Sequence, residues 1–328
     1  MHSGGTPEEA QLRDKNPDRP YENMVELREL KRNDLREIRA LANHCMSRDS
    51  ITDASLERIT FSDPNFSPEL TAVALERNEI VGCMVGVRRT RSPEESVEAQ
   101  KEVGWIKLFF VSEGHRRKGI ASRMLSELEG KFKSSGVKEV RIADFAGWTL
   151  FSGVDLMYQE AVGFLLSRGF RKAEEAVDYE IDLLDFYVPK IVADIKLEGA
   201  TVRKAEPGEK GRFTKWAAEV FSPFWGFEAS EAFKFDPPKL WIGEEAEKTL
   251  GFSVYSALEP HWFGPIGVDP NSRKRGLGSV LLFNSLVSMK EEGQRMAVIP
   301  WTEHLFFYTQ VPGVKRIRHY WIMEKQLE

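Results

Sequence analysis

The amino-acid sequence predicts an α/β chain of the α+β kind, folded as two consecutive domains, each a mixed, mostly antiparallel sheet flanked by helices. Three observations predict this fold. The chain has 328 residues, which is longer than one ordinary domain. A segment of 38 residues in the first half recurs in the second half. Both copies also place a strand, a basic turn with glycine, an amphipathic helix and a second strand in the same order.

The repeat appears when the chain is displaced by 157 positions, which places residues 105–142 on residues 262–299 without a gap. Identical residues fall at turns and at apolar positions. The matched pairs are Trp105 with Trp262, Val111 with Val268, Arg116 with Arg273, Gly119 with Gly276, Ser122 with Ser279, Leu125 with Leu282, Lys133 with Lys290, Gly136 with Gly293 and Ile142 with Ile299. Each copy is therefore expected to form the same supersecondary unit.

The elements of the first copy follow from alternation, helical spacing and caps. In chain order we predict a strand at 25–30, a helix from Asn33 or Asp34 to about Met46, a hairpin of 70–75 and 80–87, a strand at 105–111, the repeat helix ending at Gly136, a helix ending at Gly169 and a strand at 177–183. The apolar face of the repeat helix consists of Ile120, Met124, Leu125, Leu128 and Phe132.

The second copy follows the same plan. We predict a strand at 201–203, a helix at 212–220, a hairpin within 240–255, a strand ending at Val268 and a repeat helix that ends at Gly293, with Leu277, Leu281, Leu282, Leu286 and Met289 on its apolar face. The predicted organisation is a tail at 1–23, a first domain at 24–184, a linker at 185–199 and a second domain at 200–328.

Composition excludes several classes of function. The net charge of -5 and the pI near 5.9 give no basic field for a nucleic acid. No apolar run approaches the roughly 18 residues of a membrane span, and the first residues do not resemble a signal peptide. The two cysteines, Cys45 in a helical pattern and Cys83 in a strand pattern, show no redox or metal-binding spacing and are expected to be buried thiols, with no metal site. A cytoplasmic protein is expected.

Residues 111–121 and 268–278 each connect a strand to a helix through a basic turn. Such a turn presents several backbone N–H groups at a helix N-terminus, where the helix dipole favours an anion. Gly119 and Gly276 allow a close approach to the backbone, and the flanking arginine and lysine side chains add positive charge. The pattern predicts pyrophosphate binding. A solvated basic turn without a ligand is the alternative, and the spacing fits neither a Walker loop nor a Rossmann fingerprint.

Both loops resemble the acetyl-CoA signature of the GNAT superfamily of N-acetyltransferases, Arg/Gln-x-x-Gly-x-Gly/Ala after a Val-x-Pro strand end. The first copy has Glu113 where proline is usual, whereas the second keeps Pro270. The resemblance covers nearly the whole chain after residue 23. With two such loops, the chain is similar to tandem members of the superfamily. It implies acetyl-CoA as co-substrate, bound by Val111, Arg116, Arg117, Lys118, Gly119, Ile120 and Ala121 in the first loop and by Val268, Arg273, Lys274, Arg275, Gly276, Leu277 and Gly278 in the second.

The resemblance also implies that a tyrosine on the last helix protonates the departing thiolate. Tyr308 stands at this position in the second copy, whereas the first has Leu165, which has no proton to give. Tyr308 is therefore the predicted catalytic residue, and the C-terminal copy is the expected catalytic copy. Neither repeat strand carries the carboxylate that serves many relatives as a base, so the base stays open among Glu259, His261, Glu303 and His304.

The leading hypothesis is an enzyme that moves an acetyl group from acetyl-CoA to a primary amine of a small molecule or peptide. A CoA-binding regulatory or scaffold protein without turnover is the alternative, and a longer acyl donor is a third possibility. The aromatic residues 221–227 are expected either to line the acceptor site or to pack in the core or between copies. The first copy is 13 residues longer at 145–157, a segment expected to cover a cleft or the other domain. The sequence leaves the acceptor and the oligomeric state open.

Overall fold

The computed structural model describes residues 25–273, 276–302 and 305–328. The first copy contains β1 (Val25–Arg28), α1 (Leu35–Cys45), α2 (Asp53–Ile59), β2 (Thr71–Glu76), β3 (Glu79–Arg88), β4 (Val103–Val111), α3 (Ile120–Ser134), β5 (Glu139–Ile142), β6 (Val154–Asp155), α4 (Gln159–Ser167) and β7 (Arg171–Asp182). The predicted elements among these have closely matching bounds, except that β7 begins six residues earlier than the predicted strand, and α2 and β6 were not predicted.

A short helix, α5 (Lys190–Ala193), lies within the predicted linker. The second copy contains β8 (Thr201–Lys204), α6 (Lys210–Val220), α7 (Pro223–Ala232), β9 (Leu240–Glu245), β10 (Lys248–Tyr255), β11 (Phe263–Val268), α8 (Leu277–Glu291), β12 (Met296–Thr302), α9 (Leu305–Tyr308) and β13 (Val314–Gln326). Ser222 and Pro223 explain the start of α7, because the Ser222 hydroxyl accepts the N–H of Trp225 and proline suits the first helical position.

The strands form two sheets. The larger has the order β1-β2-β3-β4-β5-β13-β7-β12, with β6 paired to β13, and the smaller has the order β11-β10-β9-β8. Strands β4 and β5 pair in parallel, whereas the other pairs are antiparallel. Helices pack on these sheets, so the predicted mixed, mostly antiparallel α/β fold is confirmed.

The two copies exchange their last strands. β13, from the end of the second copy, pairs with β5 of the first, and β7, from the end of the first copy, pairs with β12 of the second. The exchanged strands also pair with each other, from Val314 opposite Ile181 to Glu324 opposite Arg171. The large sheet is consequently built from both copies, and its boundaries do not coincide with the predicted domain boundaries.

The extra length of β7 has a physical cause. Its first five residues, 171–175, are mostly charged and lack the apolar alternation of a strand with one buried face. They are held by β13 on one side, where Arg171 forms an ion pair with Glu324. Tertiary pairing therefore sets the start of this strand where local sequence does not.

The predicted apolar face of α3 packs on the large sheet. Ile120, Met124, Leu125, Leu128 and Phe132 are all buried in one cluster with residues of β2, β3 and β5. Full burial of one such side chain stabilises a fold by about 1.5–3 kcal/mol. This cluster fixes α3, and with it the loop that precedes α3, against β4.

Aromatic residues of α7 join the copies. Phe227 packs on Trp148 with ring centroids 4.3 Å apart, and the guanidinium of Arg89 lies 4.7 Å from the ring of Phe224. Trp225 instead packs in the core of the second copy. The structure thus matches the core and interface alternative for residues 221–227, and the inserted segment 145–157 contacts the other copy through Trp148.

Candidate functional site

The candidate site lies where β4 and β5 separate. The two strands pair from Val103 opposite Glu139 to Ile106 opposite Ile142, where β5 ends. The register of β4 against β3 skips Lys107, which marks a β-bulge at the same level. Residues 107–111 of β4 therefore have β3 on one side and, on the other, a cavity of about 1140 Å³.

Four parts of the chain line this cavity besides the end of β5, the inserted segment and the start of α3 with its loop. They are residues 107–111 of β4, the C-terminal end of α1 with the following residues to Asp49, the helix α4 with Tyr158 before it, and two side chains of the exchanged strand β13, Arg318 and Tyr320. The inserted segment 145–157 also contributes, through Phe151, Gly153 and Met157. It therefore both lines the cavity and contacts the second copy, whereas the sequence had offered these roles as alternatives.

The first loop, residues 111–121, opens into the cavity. Glu113–His115 form one 3-10 turn, after which Arg117 and Gly119 have φ angles of 62° and 82°. α3 then begins at Ile120 without a side-chain cap. Because the N–H groups of a first helical turn have no intrahelical acceptors, this helix start presents free donors and a positive dipole end to the cavity.

Most of the predicted residues of the first loop line the cavity: Val111, Arg116, Arg117, Gly119, Ile120 and Ala121. Lys118 lies instead on the far side of the loop, beside Val25 and Leu27 of β1. The guanidinium of Arg116 donates to Val111 O at 3.1 Å and pairs with Glu160 at 3.0 Å. Arg168, which the sequence analysis did not select, also lines the cavity and donates to Ser122 at the start of α3.

The described parts of the second loop, the 3-10 turn Pro270–Ser272 and Gly276, repeat those of the first loop but have different surroundings. Gly276 has a φ angle of 78°, and α8 begins at Leu277 without a side-chain cap. A Cβ atom on Gly276 would lie 2.8 Å from Cγ2 of Ile195, and one on Gly278 would lie 3.4 Å from Cζ of Phe307. Two apolar side chains, Ile195 and Phe307, thus lie over the start of α8. The equivalent place in the first copy, the start of α3, opens into the cavity.

The other predicted residues of the second loop are distributed as follows. Val268 and Leu277 belong to an apolar cluster with Leu281. The guanidinium of Arg273 is exposed and donates to Val268 O at 3.3 Å. Lys274 and Arg275 lie outside the described residues.

Tyr308 is part of the core of the second copy. Its side chain packs against Tyr179 of β7 with ring centroids 5.8 Å apart, and the residue is 7% exposed. Burial raises the pKa of the Tyr308 phenol to about 12. In the first copy the aligned Leu165 is also buried in a core. The position selected by the sequence comparison therefore packs inward in both copies.

Of the four candidate bases, two are described. Glu259 is buried, accepts the Ser55 hydroxyl at 2.6 Å and pairs with Arg58 at 2.6 Å, so that it ties the second copy to the first. Burial lowers the pKa of His261. Glu303 and His304 lie outside the described residues.

A cluster of polar side chains lies at the cavity wall formed by the end of α1, α4 and β13. The Tyr158 hydroxyl donates to Asp49 Oδ2 at 2.7 Å and accepts the backbone N–H of Arg48 at 3.0 Å. Arg318 Nη1 donates to Asp49 Oδ1 at 2.7 Å, and Arg318 Nη2 donates to Asp155 Oδ2 at 2.7 Å. Burial, aided by the Asp49 carboxylate, raises the pKa of Tyr158 well above its usual value, so the phenol stays protonated.

Asp155 is held ionised in this cluster. Burial by itself would raise the pKa of Asp155, but hydrogen bonds from the backbone N–H of Met157, from Arg48 and from Arg318 hold it below its usual value. No local sequence pattern marks this cluster, because its members come from three distant segments. One signal was available, since Tyr158 directly follows the inserted segment and precedes the last helix of the first copy.

Comparison with known proteins places the fold. Residues 34–149 match the family model described as the acetyltransferase (GNAT) family. This match covers α1 to the inserted segment, and so includes the first cofactor loop. No curated protein matches the chain.

Three solved structures share the architecture over more than nine tenths of this chain. The glucosamine N-acetyltransferase region of a fungal multi-domain GH3 beta-N-acetylglucosaminidase has a TM-score of 0.74 at 17% identity, with 92% of this chain and 38% of that chain covered. A GCN5-related N-acetyltransferase from Sphaerobacter thermophilus has a TM-score of 0.70 at 15% identity, with 93% of this chain and 96% of that chain covered. This chain thus spans well under half of the fungal protein and nearly all of the bacterial one.

The third structure is a tandem GNAT protein from the clavulanic acid biosynthesis pathway. It has a TM-score of 0.65 at 12% identity, and the likeness covers 93% of this chain and 99% of that chain. At these identities the likeness shows the fold. The predicted resemblance to tandem GNAT proteins is confirmed, and the fold supports acetyl transfer in general. Among the described residues, none of the helices has both the length and the apolarity needed to cross a membrane.

Proposed function

We propose that this protein is an acetyl-CoA-dependent N-acetyltransferase whose N-terminal copy binds the co-substrate and carries the reaction. One observation carries the proposal: a cavity of about 1140 Å³ joins the open edge of β4 to the uncapped start of α3. The sequence favoured the C-terminal copy, on the strength of Tyr308. We reverse that preference because Tyr308 is packed in a core, and because Ile195 and Phe307 lie over the second loop.

The residues around the cavity suit acetyl-CoA in shape and charge. The first-turn N–H groups of α3 would hold the pyrophosphate, with Arg116, Arg117 and Arg168 supplying positive charge nearby. Residues 107–111 of β4 would pair with the amide-bearing pantetheine arm, as a sheet edge pairs with an added strand. The same backbone supplies N–H donors for the charge that develops on the thioester oxygen.

Bound acetyl-CoA supplies a thioester carbonyl, at which an amine nitrogen forms a C–N bond while the C–S bond breaks. One proton must then pass from nitrogen to sulfur. In our proposal Asp49 accepts the proton from nitrogen, Tyr158 gives its hydroxyl proton to sulfur, and Asp49 returns a proton to Tyr158 across their 2.7 Å hydrogen bond. The phenol, kept protonated by its raised pKa, starts each cycle as a donor.

The acceptor is proposed to be a primary amine of a small molecule or peptide. A non-catalytic CoA-binding protein is the second candidate, and one observation favours it. The ionisable side chain of β4 at the bulge, Lys107, is fully buried and pairs with Asp63 at 2.7 Å, so this strand offers the reaction no free base. Turnover decides between the two.

The test compares Arg116→Glu with the matched second-loop variant Arg273→Glu. Arg116→Glu places a negative charge where phosphates would bind, so we expect acetyl-CoA affinity, measured by calorimetry, to fall at least about tenfold, or roughly 1.4 kcal/mol. Arg273→Glu should leave affinity within about twofold of wild type and the stoichiometry at one.

Thiol release against a panel of primary amines tests turnover. Loss of affinity in Arg273→Glu but not in Arg116→Glu would restore the C-terminal copy as the cofactor site. Acetyl-CoA binding without thiol release on any amine would favour the non-catalytic candidate. If wild type binds no acetyl-CoA, the proposed function is wrong.

A further inference from the structure

The exchanged strand β13 brings a charged side chain of the second copy into the cavity of the first. Arg318 is buried and lines the cavity, although it lies near the end of the chain. Its guanidinium bridges two carboxylates, Asp49 after α1 and Asp155 of β6. A planar guanidinium with five donors suits such bridging, which a lysine ammonium cannot reproduce. Arg318 thus joins two segments of the first copy's wall from outside that copy.

The two carboxylates differ in what else holds them. Asp155 also accepts from Arg48 Nε at 2.9 Å and from the backbone N–H of Met157 at 2.9 Å. The hydrogen bonds that place the Asp49 carboxylate come from Arg318 on one oxygen and from the Tyr158 hydroxyl on the other. Removing Arg318 would therefore leave Asp155 with donors but leave Asp49 attached to Tyr158 alone.

We propose that Arg318 is a positioning residue for the reaction: it holds the Asp49 carboxylate in the orientation that places it against the Tyr158 hydroxyl at the cavity. The second copy then contributes to the site of the first through one strand. This inference rests on the proposed function, because it assigns Asp49 and Tyr158 to proton transfer. Without Arg318, Asp49 would be free to turn toward solvent or other donors, and the relay would lose its geometry.

The same strand offers a matched control. Arg316 also donates two hydrogen bonds to one carboxylate, at 2.7 and 2.8 Å to Glu180, but its side chain is 43% exposed and it does not line the cavity. Arg316→Met therefore removes a guanidinium from β13 without removing a contact to Asp49 or Tyr158, and it leaves Glu180, which also lies 3.8 Å from Arg318 Nη1, in place. Exposed pairs of this kind contribute little to stability.

The experiment measures kcat, KM for the amine and Kd for acetyl-CoA in Arg318→Met, Arg316→Met, Asp49→Asn and the double variant Asp49→Asn with Arg318→Met. Arg318→Met should lower kcat about 100-fold, the loss expected when a proton-transfer group is displaced, and leave Kd for acetyl-CoA within about threefold. For Arg316→Met, both kcat and Kd for acetyl-CoA should stay within about twofold of the wild-type values. The double variant should have a kcat less than about threefold below that of Asp49→Asn. The reason is that the Asp49 carboxylate, which Arg318 is proposed to position, is already absent from Asp49→Asn.

The double variant also covers the case in which Arg318→Met fails to fold, since Asp49→Asn removes one carboxylate that Arg318 leaves unpaired. If Arg318→Met and Arg316→Met lower kcat equally, or if the effects of Arg318→Met and Asp49→Asn multiply independently, Arg318 does not act through Asp49 and the inference is wrong. Failure of the proposed function looks different, because wild type would then release no thiol at all.

Discussion

Single buried carboxyl groups make the junction between the copies sensitive to pH. Asp178 of β7 accepts the Ser152 hydroxyl at 2.6 Å and the backbone N–H of Trp301 at 2.9 Å, which ties β7 to both copies. Burial raises the pKa of Asp178 from 3.8 to about 6. The folded chain thus holds a proton there that the unfolded chain has released between about pH 4 and pH 6. The stability from this protonation is full below pH 3.8 and is lost as the pH rises through 6.

Asp178→Asn should remove this dependence, because the amide keeps an acceptor oxygen and never ionises. The free energy of unfolding is measured by urea unfolding for the variant and for wild type. The value for the variant minus that for wild type should be roughly 2–3 kcal/mol larger at pH 7.5 than at pH 4. Glu175→Gln on the same strand is the control, since the hydrogen bond from Lys172 lowers the pKa of Glu175 and the change should be small and opposite in sign. If the difference in free energy of unfolding between Asp178→Asn and wild type is the same at both pH values, the ionisation of Asp178 is not coupled to folding.

At this scale the sequence marked the loop of residues 111–121 that lines the cavity, and it did not mark the polar cluster. Gly119 and Arg116 lie within one short motif whose backbone conformation follows from local residue types. Asp49, Tyr158 and Arg318 come together only through tertiary pairing, so no local pattern marks them. Tyr308 was selected because it aligns with a tyrosine position of the GNAT superfamily, and alignment does not report which way a helix faces when that helix has only four residues.

Among the elements, β6 is short but connects the inserted segment to β13. Its Val154 and Asp155 pair with Trp321 and Tyr320. Gly153, immediately before it, has a φ angle of 156°, and a Cβ atom there would lie 2.8 Å from Trp321 O. The backbone of the exchanged strand thus approaches the cavity wall as closely as a glycine permits.

Gly153→Ala should therefore separate β6 from β13 and destabilise the fold by about 1–3 kcal/mol. Gly130→Ala, in the middle of α3, is the matched control. No atom lies within 4 Å of a Cβ there, so the substitution should stabilise by about 0.5–1 kcal/mol through helix propensity. Thermal unfolding of both variants tests the pair, and a neutral Gly153→Ala would mean that β6 is not held closely against β13.

The order of the elements was readable from the sequence because caps, glycines and periodicity are local. The partners of β7 and β13 were not readable. A strand has the same alternation whether it pairs within its own copy or with the other, so exchange leaves no mark on the pattern. The repeat predicted two similar units and gave no sign that they share one sheet.

For the molecule as a whole, exchange makes the connection between the copies dispensable once folding is complete. β7 lies between β13 and β12, and β13 lies between β5 and β7, so each half of the chain is hydrogen-bonded into the other's sheet. A protease site inserted between Tyr187 and Val188, both exposed, would cut the chain after β7.

The cleaved protein should elute as one species in native size-exclusion chromatography and unfold in one thermal transition, because separation requires breaking strand pairs on both sides of β7 and β13. Denaturing electrophoresis would confirm cleavage, and the uncut protein with the same insertion is the control. Fragments that separate in native buffer would show that the exchanged pairing does not hold the halves together.

Exchange also sets an order of events on the ribosome. The loop of residues 111–121 is translated well before Arg318 and Tyr320, which the cavity wall beside it needs. Until then the outer edge of β5 has no strand beside it, and its hydrogen-bonding groups face solvent or a chaperone. A nascent chain can thus assemble the start of α3 long before it can complete the cavity, which forms only after β13 has been synthesised.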